Sequence, residues 1–350
     1  MIPEIVALLR KNLNKIMPLL PLMAFAIPLL WLYLLHPESF ELMWKGRTFQ
    51  LFFIWLILLE LILGWENHQK NRINRLISIR TAFLIIALLL PTVYVAASNY
   101  GGLAPAIADS TRQSGVYWWS DMPVAIEYLA FAALFCFASL VLFGIKGLKD
   151  FSVPILFAAL VGAIFVVDSV YPYGQFTPFQ LLVPTTTVLA ANTLGLMGYN
   201  ASLDLTHGSL PYLTVTDPNN SLQTASFAIA WPCAGIESLL LFSVTILLFL
   251  KRMPISWKAK IGYFAFGAAV TYFINVLRIV SIFLIAMNDG DANLFHSTYG
   301  PLYPVTWIVF YPLIILGSQS LWRKIPRRNR KDFTVTSEET PANPKMESSG

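Results

Sequence analysis

Long apolar runs alternate with short polar connectors along almost the whole chain. Eight runs, 16–35, 49–65, 77–98, 123–144, 153–171, 233–250, 261–287 and 302–322, predict membrane-spanning helices. Each is long enough to cross a hydrocarbon core of about 30 Å at about 1.5 Å per residue. Arg10, Lys11 and Lys15 precede the first run, which is longer than a signal-peptide core and has no small-residue cleavage site after it. It therefore reads as a retained span.

The connectors set an orientation. Basic clusters follow the second run (Lys70, Arg72, Arg75, Arg80), the fourth (Lys146, Lys149), the sixth (Lys251, Arg252, Lys258, Lys260) and the eighth (Arg323 to Lys331). With the N-terminus inside, all four are cytoplasmic, as the positive-inside rule requires. The connector 36–48, with Lys45 and Arg47, is an exception. Residues 179–198 are apolar enough for another span, but a full crossing would move the later basic clusters outside. Pro184, Thr185 to Thr187 and Asn192 suit a re-entrant or interfacial helix instead. Residues 99–122, with Gly101-Gly102, Asp109, Arg112 and Trp118-Trp119, predict an interfacial loop. Residues 199–231 alternate polar and apolar side chains around a Pro218-Asn219-Asn220 turn, which predicts a two- or three-stranded β element outside the membrane. The polar stretch 325–350 reads as a disordered cytoplasmic tail. The fold class expected is thus an all-α polytopic membrane protein with about eight transmembrane helices, a re-entrant or interfacial helix and a small extracytoplasmic β element.

Composition sharpens this reading. Of 350 residues, 56% are hydrophobic and 12% charged, with a mean hydropathy of +0.62. Soluble domains carry about 25% charged residues, so lipid must solvate most of this chain and membrane lipids are its first partners. The net charge of +5 resides in the connectors, which argues against nucleic-acid binding. No spacing resembles a zinc site, a phosphate loop or a dinucleotide fingerprint, so neither metal nor cofactor is expected. Cys136 lies within an apolar run and Cys233 in the polar-edged Trp231-Pro232-Cys233-Ala234-Gly235; settings so unlike make two free thiols rather than a disulfide.

Four positions invite chemistry. Cys233 opens the sixth span, where a helix N-terminus favours the thiolate and lowers the thiol pKa; the alternative is a cysteine filling a gap. Gly235 would admit an incoming peptide backbone. Arg278 interrupts an apolar span, at a cost of about 2.5–3.5 kcal/mol on insertion scales. Nine residues from the span's outer end, it should face an anion or a polar cavity, or else pair with Glu237. Glu237, four residues after Cys233, would share its helix face and could accept a proton, orient Arg278 or serve as a plain counter-ion. His296, in the connector 288–301, has the intrinsic pKa for proton shuttling, although a lone loop histidine is commonly a solvated bystander. His36, His68 and His207 lack such a setting. Thiol, imidazole and guanidinium on one side of a membrane make a workable acyl-transfer set.

Cys233-Ala234-Gly235-Ile236 at a span start, Asn275-Val276-Leu277-Arg278-Ile279 in the next span and His296 in the following outer connector resemble the exosortase/archaeosortase family of membrane cysteine transpeptidases. The resemblance covers about 150–325, and part of its texture is similar to archaeal, thaumarchaeal members. It implies an N-terminal set of membrane helices (1–150), a catalytic transmembrane core (151–325) and a tail (326–350). It also implies a plasma-membrane enzyme with its active site outside. Its partners would be secreted proteins bearing a C-terminal tripartite sorting signal (motif, transmembrane helix, basic tail) and a lipid or envelope acceptor. In these roles Cys233 forms a thioester, His296 moves the proton, Arg278 holds the oxyanion or the signal, and Asn275, Glu237 and Gly235 support them. The competing class is a transporter or channel with Arg278 and Glu237 lining a polar pathway.

Overall fold

The computed structural model describes residues 17–40, 45–70, 79–171, 180–204 and 210–324. Its helices are α1 (Leu20–Leu35), α2 (Thr48–Lys70), α3 (Ile79–Asn99), α4 (Leu103–Gln113), α5 (Met122–Asp150), α6 (Ser152–Val170), α7 (Leu182–Leu196), α8 (Ile236–Arg252), α9 (Trp257–Met287) and α10 (Leu302–Lys324). Every one of the eight apolar runs coincides with a helix. Five segments, 82–99, 119–150, 152–170, 257–287 and 292–321, are both long and apolar enough to cross a membrane. Leu20–Leu35, Thr48–Gly64 and Leu182–Leu196 are apolar but shorter. Met1–Tyr311 forms one compact unit; the second, Pro312–Gly350, begins inside α10. The expected tail at 326–350 lies outside the described residues.

Two buried clusters organise the larger unit. In the first, aromatic side chains of α1, α2, α5 and α6 interlock: Phe25 meets Phe53, Phe131 and Phe135 edge-on at 5.9, 5.6 and 5.3 Å. The second joins α7 and α9 to a three-stranded antiparallel sheet, β1 (Asn200–Asp204), β2 (Tyr212–Asp217) and β3 (Asn220–Ala228), in the order β1-β2-β3. Leu213 and Val215 of β2 turn one face of the sheet inward, and Phe227 packs edge-on against Phe283 of α9 at 5.1 Å. The strands and the turn at 217–220 are those the alternation predicts.

The bundle has two chemically distinct ends. At the basic end, the buried Glu60 carboxylate of α2 takes Lys251 at 3.0 Å and Arg252 at 2.5 Å, both from the last turn of α8. Lys251 Nζ also donates to the carbonyls of Lys149 and Asp150 at the end of α5. At the sheet end, Arg47 forms a two-pronged pair with the buried Glu127, at 2.8 and 3.0 Å, and Lys45 pairs with Asp121 and Asp168 at 3.0 and 2.9 Å. Lys45 and Arg47 are thus neutralised inside the protein. That is why they break the pattern of the other connectors.

Trp231 Nε1 donates to Asp168 Oδ1 at 2.8 Å. The end of α6 and the start of α8 therefore lie at the same end of the bundle. Helix α7 falls within 179–198, where a re-entrant or interfacial element is expected: its 15 residues run about 22 Å, shorter than a hydrocarbon core of about 30 Å, and lie beside the second half of α9. Helix α9 is the opposite case. Its 31 residues run about 46 Å, longer than a hydrocarbon core of about 30 Å, and its last turns carry the sheet.

Two expectations fail here. Residues 99–122 contain a helix, α4, where a loop was predicted. Gly102 takes a left-handed φ of 74° as its N-cap, Pro105 sits in the first turn where its missing N–H costs nothing, and Ala104, Ala106 and Ala108 favour helix over the turn residues around them. The connector holding His296 is likewise helical: a short turn at Ala292–Leu294, capped by Asp291, runs into a π-helical turn at Phe295–Tyr299.

Candidate active site

Strand β3 ends at Ala228, and Ile229 N–H bonds to Pro211 O at 2.9 Å. The chain then forms one tight turn, Trp231–Ala234, with Pro232 supplying a preset φ near its start. Gly235 adopts φ 90°, a conformation that side chains resist, and redirects the chain into α8. Cys233 is thus presented on a turn between a strand and a helix.

Three anchors hold that turn. Asn275 Nδ2, from the fully buried face of α9, donates to Cys233 O at 2.8 Å. Thr186 Oγ1 of α7 reaches Ala234 O at 3.4 Å and meets Tyr272 OH at 2.7 Å. Trp231 Nε1 donates to Asp168, as above. A Cβ on Gly235 would stand 3.0 Å from Asn275 Cγ and Nδ2. What glycine admits here is therefore the Asn275 side chain, in place of the substrate backbone expected from the sequence.

Arg278 lies one turn beyond Asn275 on α9. Its Nη2 donates to His296 O at 3.1 Å and lies 3.3 Å from His296 Nδ1. Among the described residues Arg278 Nε is buried with no hydrogen-bond partner, and a Cβ on Gly300 would come within 2.6 Å of it, so glycine is what lets the chain after His296 pass so close. A guanidinium only donates; the Nδ1 facing it must carry the lone pair, which leaves the ring proton on Nε2.

The electrostatics differ from the expectation for Cys233. Burial pushes its thiol up. Arg278 and a backbone hydrogen bond at Ala230 work against that rise, and Glu237 adds to it. The helix start does not rescue the thiolate, because Gly235 separates the part-buried cysteine from the first turn of α8. The same break undoes the shared face expected for Cys233 and Glu237: only Glu237 is within the helix. Among the described residues no salt bridge joins Glu237 to Arg278, and no hydrogen bond joins Cys233 Sγ to His296. Cys136 and Cys233 are both free thiols.

Sequence reasoning overlooked Asp168, Lys45 and Thr186. Asp168 carried the available signal, as a lone acid at the end of the apolar run 153–171 is costly unless it has a partner. Its partner Lys45, 123 positions away, stood out only as a cation on the wrong side, with nothing in the sequence to join the two.

A family model described as transmembrane exosortase matches residues 43–314. The match begins more than a hundred residues before the stretch that resembles the family by motif, so it takes in Lys45 and α2 to α5 but not α1. It stands at the level of the exosortase family rather than of its archaeal branch. No curated protein and no solved structure matches the chain.

Proposed function

Because the chain belongs to the transmembrane exosortase family, a family of membrane cysteine transpeptidases, we propose that Cys233, Arg278 and His296 are its catalytic residues. The reaction is cleavage of C-terminal sorting signals on secreted surface proteins, followed by transfer of the new C-terminus to a lipid or envelope acceptor. In this reading 151–325 is the catalytic core, about eight helices cross the plasma membrane, and the sheet end is extracytoplasmic. One observation supports it: Arg278 Nη2 donates to His296 O at 3.1 Å and lies 3.3 Å from His296 Nδ1, and the charge of the same guanidinium favours the Cys233 thiolate.

The chemistry follows from the hydrogen bonds. At rest Arg278 occupies His296 Nδ1, the ring's lone-pair nitrogen, while the thiol stays protonated. A scissile carbonyl entering beside Arg278 draws the guanidinium toward the developing oxyanion. That movement frees Nδ1, which takes the proton from Cys233 Sγ as the sulfur attacks the carbonyl carbon. The tetrahedral species collapses: the C–N bond breaks, the leaving amine takes the proton from His296, and a thioester joins the substrate to Cys233. An acceptor amine or hydroxyl then attacks the thioester and returns the proton to sulfur. Arg278 serves twice, as the oxyanion's partner and as the lock on the base. Asn275 Nδ2 is committed to Cys233 O, so its role is to hold the nucleophile.

Cys233→Ala should abolish processing of a reporter ending in motif, apolar helix and basic tail, with membrane insertion and thermal midpoint intact. Parental processing by that variant would overturn the proposal.

A further inference from the structure

The N-terminal helices carry none of the reacting groups, yet one buried chain of contacts links them to the nucleophile. It starts at Lys45, between α1 and α2, whose ammonium lies 3.0 Å from Asp121 at the start of α5 and 2.9 Å from Asp168 near the end of α6. Lys45 also lies over the Trp118 ring at 5.6 Å, and Trp118 N–H bonds to Ser169 O at 3.0 Å. Asp168, 1% exposed, uses its other oxygen to accept the Trp231 indole N–H at 2.8 Å, two residues before Cys233. We infer that Trp231, Asp168 and Lys45 are positioning residues for Cys233, a relay through which the N-terminal helices fix where the sulfur stands.

Four features support this over a pair that merely adds stability. Asp168 is almost entirely withdrawn from water, where a carboxylate is costly unless fully paired. Lys45 accepts a left-handed φ of 64° to deliver its ammonium, a conformation unfavourable for a side chain of that size. The Trp231–Ala234 turn is only four residues long and makes few hydrogen bonds of its own, so side-chain anchors decide its position. Of its three hydrogen-bonding anchors, Asn275 and Thr186 come from the elements that pack with the sheet, whereas Trp231–Asp168 ties it to α6.

The functional meaning of the relay rests on Cys233 being the nucleophile, but its test reads the thiol itself. The full-length protein is reconstituted in nanodiscs with Cys136→Ala, so that Cys233 is the single thiol, and iodoacetamide labelling is followed from neutral to alkaline pH. Trp231→Phe keeps the ring's packing and removes only the N–H. Cys233 is part-buried; with the turn untied its sulfur is no longer held in place and opens further to water, and labelling at neutral pH should rise about tenfold or more, the scale of one hydrogen bond to a charged group. The thermal midpoint should move little. Asp168→Asn, which leaves an amide oxygen for Trp231 but loses the charge facing Lys45, should fall between parent and Trp231→Phe. Labelling of Trp231→Phe at the parental rate with the parental pH midpoint would overturn the inference. If that variant does not accumulate folded, Asp168→Asn and Lys45→Met decide by the same measurement. Loss of processing in Cys233→Ala, or its absence, bears on the proposed function alone.

Discussion

Replacing Asn275 with leucine separates holding the nucleophile from filling space. Leucine repeats asparagine's branching with the same number of side-chain heavy atoms, so a buried contact with Gly235 remains, while the 2.8 Å bond from Nδ2 to Cys233 O is lost. Asn275 is 1% exposed, so water cannot take over the donor's place. A buried carbonyl left without its partner costs about 1–3 kcal/mol. If the bond fixes Cys233 for attack, that cost falls on the transition state, and kcat/KM should drop roughly 5- to 150-fold. Asn275→Asp should be worse, because a carboxylate would face the same carbonyl. The assay follows cleavage of a fluorescent sorting-signal peptide by the reconstituted enzyme, alongside its thermal midpoint. A lowered midpoint with parental kcat/KM would show that the bond serves the fold alone and would refute the reasoning.

Two further outcomes follow from the charges. Arg278→Met removes the cation that opposes the burial-driven rise of the Cys233 thiol, so the thiolate should form only at higher pH. The pH midpoint of alkylation should move up, Arg278→Lys should keep it near parental while losing processing, and an unmoved midpoint in Arg278→Met would remove Arg278 from the site's electrostatics. Arg47→Met strands the Glu127 carboxylate, which is 1% exposed; it should cost about 3–5 kcal/mol of stability, read as a fall in thermal midpoint, without moving the Cys233 alkylation profile.

The sequence was most informative where one physical force dominates. Continuous apolar runs marked every long helix, and the run ending at 144 stops where Gly144 breaks α5 with φ 67°. Alternation in 199–231 marked the strands. Position-specific chemistry was legible only where a residue violates its surroundings: Arg278 in an apolar helix stood out, and its contact with His296 was reached through chain order. The thiol's electrostatics were not legible, because shielding of the sulfur depends on how α7, α9 and the sheet close around the turn. Gly235 was read correctly as a point of close approach, but the approaching group was Asn275. Lys45 and Arg47 were visible as misplaced cations, yet their partners Asp168 and Glu127 sit about 80 to 120 positions away, beyond the reach of local pattern.

Helix α9 works as a gauge of height. Asn275 lies 18 residues beyond Trp257, about 27 Å along an axis whose lipid-covered portion is about 30 Å. In the proposed orientation, with Trp257 at the inner face of the membrane, the sulfur it steadies would stand where lipid gives way to water, with the overhanging turns bearing the sheet above it. A client threaded through the same bilayer can offer that sulfur only the bond it carries at its own point of exit. Each extra residue between that bond and the client's helix lifts the bond by up to about 3.3 Å. A spacer of fixed length would then be part of what distinguishes a client from any other membrane-anchored chain.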